Sequence, residues 1–150
     1  MQPLKTILLN IHIFASITWV GSVFMGTFVD WPAAKASVKP GEFPFKFIIG
    51  QGHRVFVFVY IGIFFVWTSG IGLTLIHAPF TGKELVLLGI KIAALTIMTG
   101  FTLYGTFGTW RKLQVATHAE AFNHYKYYMY RAMGTFTLGS LAAVMGGWLL

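Results

Sequence analysis

The chain contains no cysteine. That excludes disulfides, thiolate metal centres, iron–sulfur clusters and c-type haem attachment. Acidic residues are almost as scarce. There are four, Asp30, Glu42, Glu84 and Glu120, against eleven Lys and Arg. All four fall in connections or at the ends of apolar segments, so histidine is the main strong ligand left inside them. Charge as a whole is thin, 10% of residues, where a soluble globular domain carries about 25%. So few charges do not cover a soluble surface, and the composition points to a membrane. The net charge of +7 raises nucleic acid as a partner. The basic residues, however, sit between apolar runs and form no stripe, so no nucleic-acid partner is expected.

What the chain does have is apolar length. It is 56% hydrophobic over 150 residues, and its mean hydropathy is +0.70. Four apolar segments stand out, at 7–29, 55–76, 85–107 and about 127–150. Each approaches the roughly 20 residues that cross a hydrocarbon core, and helices satisfy their own backbone there. The expectation is all-α: one integral membrane four-helix bundle over residues 1–150, with helices at about 6–29, 53–77, 84–108 and 120–150. The first run follows one lysine, Lys5, and is too long for a signal-peptide core, so it reads as a retained helix. Its solvent is the lipid bilayer.

The connections differ. Residues 30–54 include Trp31-Pro32, Lys39-Pro40-Gly41 and Phe43-Pro44-Phe45, which read as a long helix-breaking loop lying in the interface. Residues 78–84 are short, with Pro79 and Gly82, and predict a tight antiparallel pair of helices. Residues 109–125 carry Arg111, Lys112, His118 and His124. Around the first and third connections lie Lys35, Lys39, Lys46, Arg54, Arg111, Lys112, Lys126 and Arg131; on the other side are only Lys5 and Lys83. The bias places both termini outside and the basic loops in the cytoplasm. Trp31, Phe43, Phe45, Phe47, Trp110, Tyr125, Tyr127, Tyr128 and Tyr130 then read as inner interface anchors, with Trp148 at the outer end. Gly139, Ala143 and Gly147 repeat at the spacing that lets membrane helices approach closely; Gly100, Gly105 and Gly108 are further candidates.

Depth sorts the polar residues inside the spans. At 1.5 Å per residue, His12 lies roughly 8 Å inside its helix end and Lys91 roughly 9 Å inside its own. Both ends face the same side, so the two are expected at one level. His77 is on that side but shallower. His53 begins the second helix and His124 the fourth, on the basic side, where the two rings are placed to share a level. His118 reads as solvated. Each has a plain alternative: Lys91 snorkelling to the interface, His12 bonding a neighbouring helix, His53, Arg54 and His124 solvated at the boundary. Imidazole ligates iron, copper and zinc. Zinc needs three or four converging ligands, for which no spacing exists here. A haem needs one or two histidines, an apolar slot and cations for its propionates, which suits a four-helix bundle. Copper stays open through the scattered Met25, Met98, Met129, Met133 and Met145, which read better as packing.

Certain short motifs resemble a known group. His12 followed by Trp19-Val20-Gly21, then Gly52-His53-Arg54 running to Thr68-Ser69-Gly70-Ile71-Gly72, then Leu88-Gly89-Ile90-Lys91, resemble the copper-resistance protein D family and the related, haem-associated J-type protoporphyrinogen oxidases. These are small membrane proteins of bacteria, which implies a multi-pass protein of the bacterial inner membrane. The resemblance covers roughly residues 8–110. It implies a role for His12 and Lys91 in binding haem or porphyrin, and it matches Arg54 to the arginine that opens the oxidases' second helix. Tyr104 stands where those oxidases usually carry a second histidine, and His53 where they carry an acid.

The expected function is a membrane-embedded haem b protein that transfers electrons, alone or with other membrane subunits or quinone. His12 is the expected axial ligand to the haem iron. Lys91 is expected at a propionate or as the other ligand. His53 and His124 are the candidates for a second haem. The alternatives are a J-type porphyrinogen oxidation, in which Lys91 and Arg54 bind substrate carboxylates, and copper transport or a cofactor-free accessory subunit.

Overall fold

A computed structural model describes residues 2–146, so Gly147 and Trp148 lie outside the described residues. The fold is all-α and about 90% helical, with four long helical runs. The first run joins α1 (Gln2–Phe24), a π-helical turn (Met25–Asp30) and α2 (Trp31–Ala36). The second is α3 (Phe45–His77). The third joins α4 (Gly82–Tyr104), a second π-turn (Gly105–Thr109) and α5 (Trp110–Gln114). The fourth is α6 (His118–Gly146). The first three runs, of 35, 33 and 33 residues, are long and apolar enough to cross a membrane.

Two boundaries correct the expectation. Pro32 does not end the first helix. It enters at the start of α2, just after the π-turn, where the Trp31 N–H bonds the Gly26 carbonyl five residues back. The hydrogen-bond ladder is already changing register there, so a residue without an N–H is accommodated. Likewise α3 begins at Phe45, eight residues before the expected His53. Pro44 caps that helix, and the Ile48 N–H reaches its carbonyl at 3.0 Å. The first loop therefore shrinks to residues 37–44. Its one tight turn is Lys39-Pro40-Gly41-Glu42, closed by Glu42 N–H to the Lys39 carbonyl at 3.0 Å. Gly41 sits at φ +88°, the position of a type II turn that requires glycine.

Helix α1 lies most closely on α3 and α4 on α6, with α1 also meeting α6. A side chain at Gly62 would meet the Ala15 carbonyl and the Trp19 Cβ, both at 3.1 Å, so Gly62 lets α3 approach the α1 backbone. Gly139 does the same for α6, where a Cβ would lie 2.6 Å from Val20. Such small-residue contacts matter because lipid supplies no hydrophobic drive between helices. Ala143, next in that row, is exposed. The short turn at 78–81 does not make α3 and α4 the closest neighbours. They meet through side chains, Trp67 Nε1 donating to Thr99 Oγ1 at 3.2 Å and His77 pairing with Glu84 at 3.3 Å.

Two apolar cores result. One contains Ala15, Trp19, Val59, Ile63, Val66 and Met98 in the middle of the molecule. The other lies at the basic end and contains Ala34, Phe43, Ile48, Trp110, Leu113, Ala121 and Tyr125. The second core corrects the reading of those aromatics as interface anchors. Phe43, Trp110 and Tyr125 are buried. Trp31 joins them, its ring 4.5 Å from Tyr125 and 5.8 Å from Phe43. Only Phe47, Tyr127 and Tyr130 of the expected set are strongly exposed large apolar side chains. The longer helices leave a short loop that folds back over the bundle's end, which turns an expected girdle into a core.

Candidate functional site

His12 projects from the middle of α1, Ser69 from the last third of α3, and Lys91 from the third turn of α4. His12 Nδ1 lies 3.0 Å from Ser69 Oγ. Ser69 is fully buried and gives its hydroxyl proton to the Phe65 carbonyl one turn back. A hydroxyl has one proton to donate, so toward the imidazole its oxygen accepts. That arrangement suits the tautomer of His12 that carries its proton on Nδ1. Gly70 leaves room beside this ring, since a Cβ there would sit 3.3 Å from His12 Cε1. The Lys91 charge is close enough to act on the ring. Its Nζ lies over Gly146 of α6, 3.4 Å from where a Cβ would be. Thus α1, α3, α4 and α6 all contribute to one polar spot inside apolar helices.

The other expected residues are placed elsewhere. Arg54 and His53 are exposed on α3, 15 and 16 residues before Ser69, so about 22 and 24 Å along the helix from it. Arg54 is thus far from the His12 and Lys91 level. The His53 ring faces Trp110 edge-on at 6.5 Å. His124 is half-buried on α6. Among the described residues no hydrogen bond or ring contact joins His53 to His124. Nor, among them, do three His, Asp or Glu side chains converge on one metal-sized point. His118 is exposed, as expected, and its Nδ1 also accepts the Phe43 N–H at 2.7 Å; its ring lies 5.2 Å from Phe45, which ties the first loop to the start of α6.

A groove of about 540 Å³ opens between α1 and α3, lined by Ile7, Asn10, Phe14, Thr18 and Phe65 among others. His12 does not line it, so this groove is not the space next to the imidazole. Ser69 is the residue that sequence reasoning missed. Its signal was a small hydroxyl flanked by Thr68 and Gly70 near the level of a histidine, a pattern first taken only as a glycine-bearing helix end.

No family model matches the chain, and no curated protein or solved structure matches it. What the site does is therefore argued from the site's own residues.

Proposed function

We propose that the protein is a four-helix membrane bundle whose His12–Ser69–Lys91 cluster holds haem b for electron transfer. The observation that carries this reading is the seating of His12: Ser69 Oγ holds Nδ1 at 3.0 Å, and among the described residues no side chain is hydrogen-bonded to Nε2. A histidine at such depth is costly without a use, and a ligating imidazole ordinarily has its other nitrogen held in this way. The donor set fits a haem, with one imidazole for the iron and one ammonium for a propionate. Haem supplies one-electron chemistry when bound. Ser69 fixes the plane of the imidazole, while Lys91 offsets carboxylate charge where water is sparse.

Topology belongs to the same proposal. The eight-to-two distribution of Lys and Arg puts the 37–44 and 115–117 loops inside and both termini outside, and so sets His12 and Lys91 toward the outer leaflet. The inner membrane of a bacterium suits this arrangement, with partner subunits or quinone as electron partners. The cysteine-free chain makes the orientation directly testable: single cysteines placed at Ser37 and at Phe80 should label from opposite sides.

The deciding experiment is an absorption spectrum of the purified protein, oxidised and then dithionite-reduced, with a pyridine haemochrome assay. A b-type spectrum that His12→Ala abolishes while Lys91→Ala weakens it is expected. A folded, colourless protein from haem-replete cells overturns the proposal.

A further inference from the structure

The basic end holds a second polar locus that the haem reading does not use. Between the ends of α1, α3, α4 and α6 lies a cavity of about 70 Å³. At roughly 10–15 Å³ for each water-sized probe, it has room for about five water-sized groups, far less than a haem or a quinone ring requires. Its walls include Gln51, Trp110, Tyr125, Tyr128, Arg131 and Thr135.

Two residues of that wall carry buried donors with no acceptor. Among the described residues, Trp110 Nε1 and Arg131 Nε are buried without a hydrogen-bond partner. Both are donors and neither can accept. Arg131 uses another nitrogen to donate to Thr109 Oγ1, and its guanidinium lies 4.7 Å from the centre of the Tyr104 ring. These two contacts fix its position without neutralising it. No carboxylate lies within salt-bridge distance of it among the described residues, where the sole acid–base pair is His77 with Glu84. The nearby acid, Asp30, is engaged by the Gln51 side-chain amide. Leaving a buried donor without an acceptor costs on the order of 1–3 kcal/mol, and more for a charged group. Water can accept from both donors but brings no charge to set against Arg131. An oxyanion accepts from both and supplies that charge.

We propose that this cavity is an oxyanion site, which takes a phosphate-type group on Arg131 with Trp110 and Tyr128 completing its shell. The size fits a tetrahedral oxyanion. Guanidinium is the side chain best shaped for phosphate oxygens. Lys112, Arg111 and Lys126 border this end of the chain and raise the local concentration of anions. Two sources share this chemistry, the phosphate of an anionic lipid headgroup and free phosphate. The site is independent of the His12 cluster, and its test needs no haem.

The experiment uses the full chain in nanodiscs of pure phosphatidylcholine, with ¹⁵N-labelled tryptophan. Five indole N–H signals are expected from five tryptophans, and Trp110→Phe assigns one. Inorganic phosphate is titrated against chloride at matched ionic strength, and in parallel the discs are doped with phosphatidic acid. The expected result is a saturable downfield shift of the Trp110 indole signal, with a rise in Tm of about 3–5 °C at tenfold excess over Kd. Response to free phosphate identifies a soluble ligand, and response to phosphatidic acid alone identifies the lipid; either supports the site. Arg131→Gln should abolish the response and Arg131→Lys retain part of it. If neither source moves the wild-type Trp110 signal, the cavity holds only water and the proposal fails, whatever the variants do.

Discussion

Gly52 offers the sharpest test of the packing at the basic end. A Cβ there would lie 2.2 Å from both Cζ2 and Cη2 of Trp110 and 3.2 Å from Cε2. Carbon atoms pack at about 3.5–4.0 Å, so the indole must retreat by more than an ångström. Its slack lies on the side of the cavity of about 70 Å³ that it also lines; elsewhere it is walled in. Phe56 meets it at 4.9 Å between ring centres and Tyr128 at 6.2 Å, and the ring is only 6% exposed. Overpacking of this kind costs about 1–3 kcal/mol or more. Against it stands the helix preference for alanine over glycine, about 0.8–1.0 kcal/mol. Gly50, two residues earlier on α3, separates the two effects, because a Cβ there would meet nothing within 4 Å. The preference gained is the same at both positions, so the difference between Gly52→Ala and Gly50→Ala is the clash alone. For a chain of this size each kcal/mol is worth about 2–4 °C in Tm. Gly52→Ala should melt about 2–12 °C below Gly50→Ala, in detergent or nanodiscs, followed by far-ultraviolet circular dichroism. Equal melting temperatures would refute the seating of Trp110 against α3.

The His12–Ser69 contact predicts a coupling of about 0.6–1.5 kcal/mol in a double-mutant cycle of His12→Phe and Ser69→Ala; additive effects would mean the two side chains do not interact. His118→Ala leaves the Phe43 N–H without its acceptor beside a buried ring, and should cost about 1–3 kcal/mol, with hydrogen exchange at Phe43 rising first. At the start of α6 the backbone N–H of Thr117, then its hydroxyl, hold the Glu120 carboxyl below its usual range. A carboxyl depressed in the folded state contributes above its unfolded value and loses that contribution as pH falls through the folded one. Acid titration of Tm should therefore show a fall below about pH 4 that Glu120→Gln reduces, and an unchanged acid limb would count against the cap.

How much of this was readable depends on the kind of signal. Apolar length marked four candidate spans, and among the described residues three are long and apolar enough to cross a membrane, because hydropathy over 20 residues survives any detail of packing. The neighbourhood of His12 and Lys91 followed from a count of 1.5 Å steps. Pro32 misled because its effect depends on the hydrogen-bond register before it, and the π-turn that accommodates it leaves no mark in residue type. Pro44 misled for a related reason: proline tolerates a helix start as readily as it forbids a helix interior. Ser69 was overlooked because a serine in an apolar helix usually bonds its own backbone, as Ser69 also does. Arg131 counted only as a topology charge, since nothing local in the sequence distinguishes a half-buried guanidinium with a buried Nε from a solvated one. The bond from Phe43 to the exposed His118 was equally unreadable, as the two are 75 residues apart.

The two π-turns fix more than the path of the chain. Each precedes a short extension, α2 or α5, that carries a tryptophan of the basic-end core. One residue turns an α-helix by about 100°, so each wide turn acts as a phase shifter between the spanning rod and its tip. Removing a single residue from Gly105–Thr109 would leave the α4 face unchanged and swing Trp110 away from its seat under Gly52. The same arithmetic applies to any alignment of sequences across residues 25–30 or 105–109. A one-residue gap there signals a rotated tip rather than a tolerated deletion, and the pattern of apolar positions must be counted afresh on its far side.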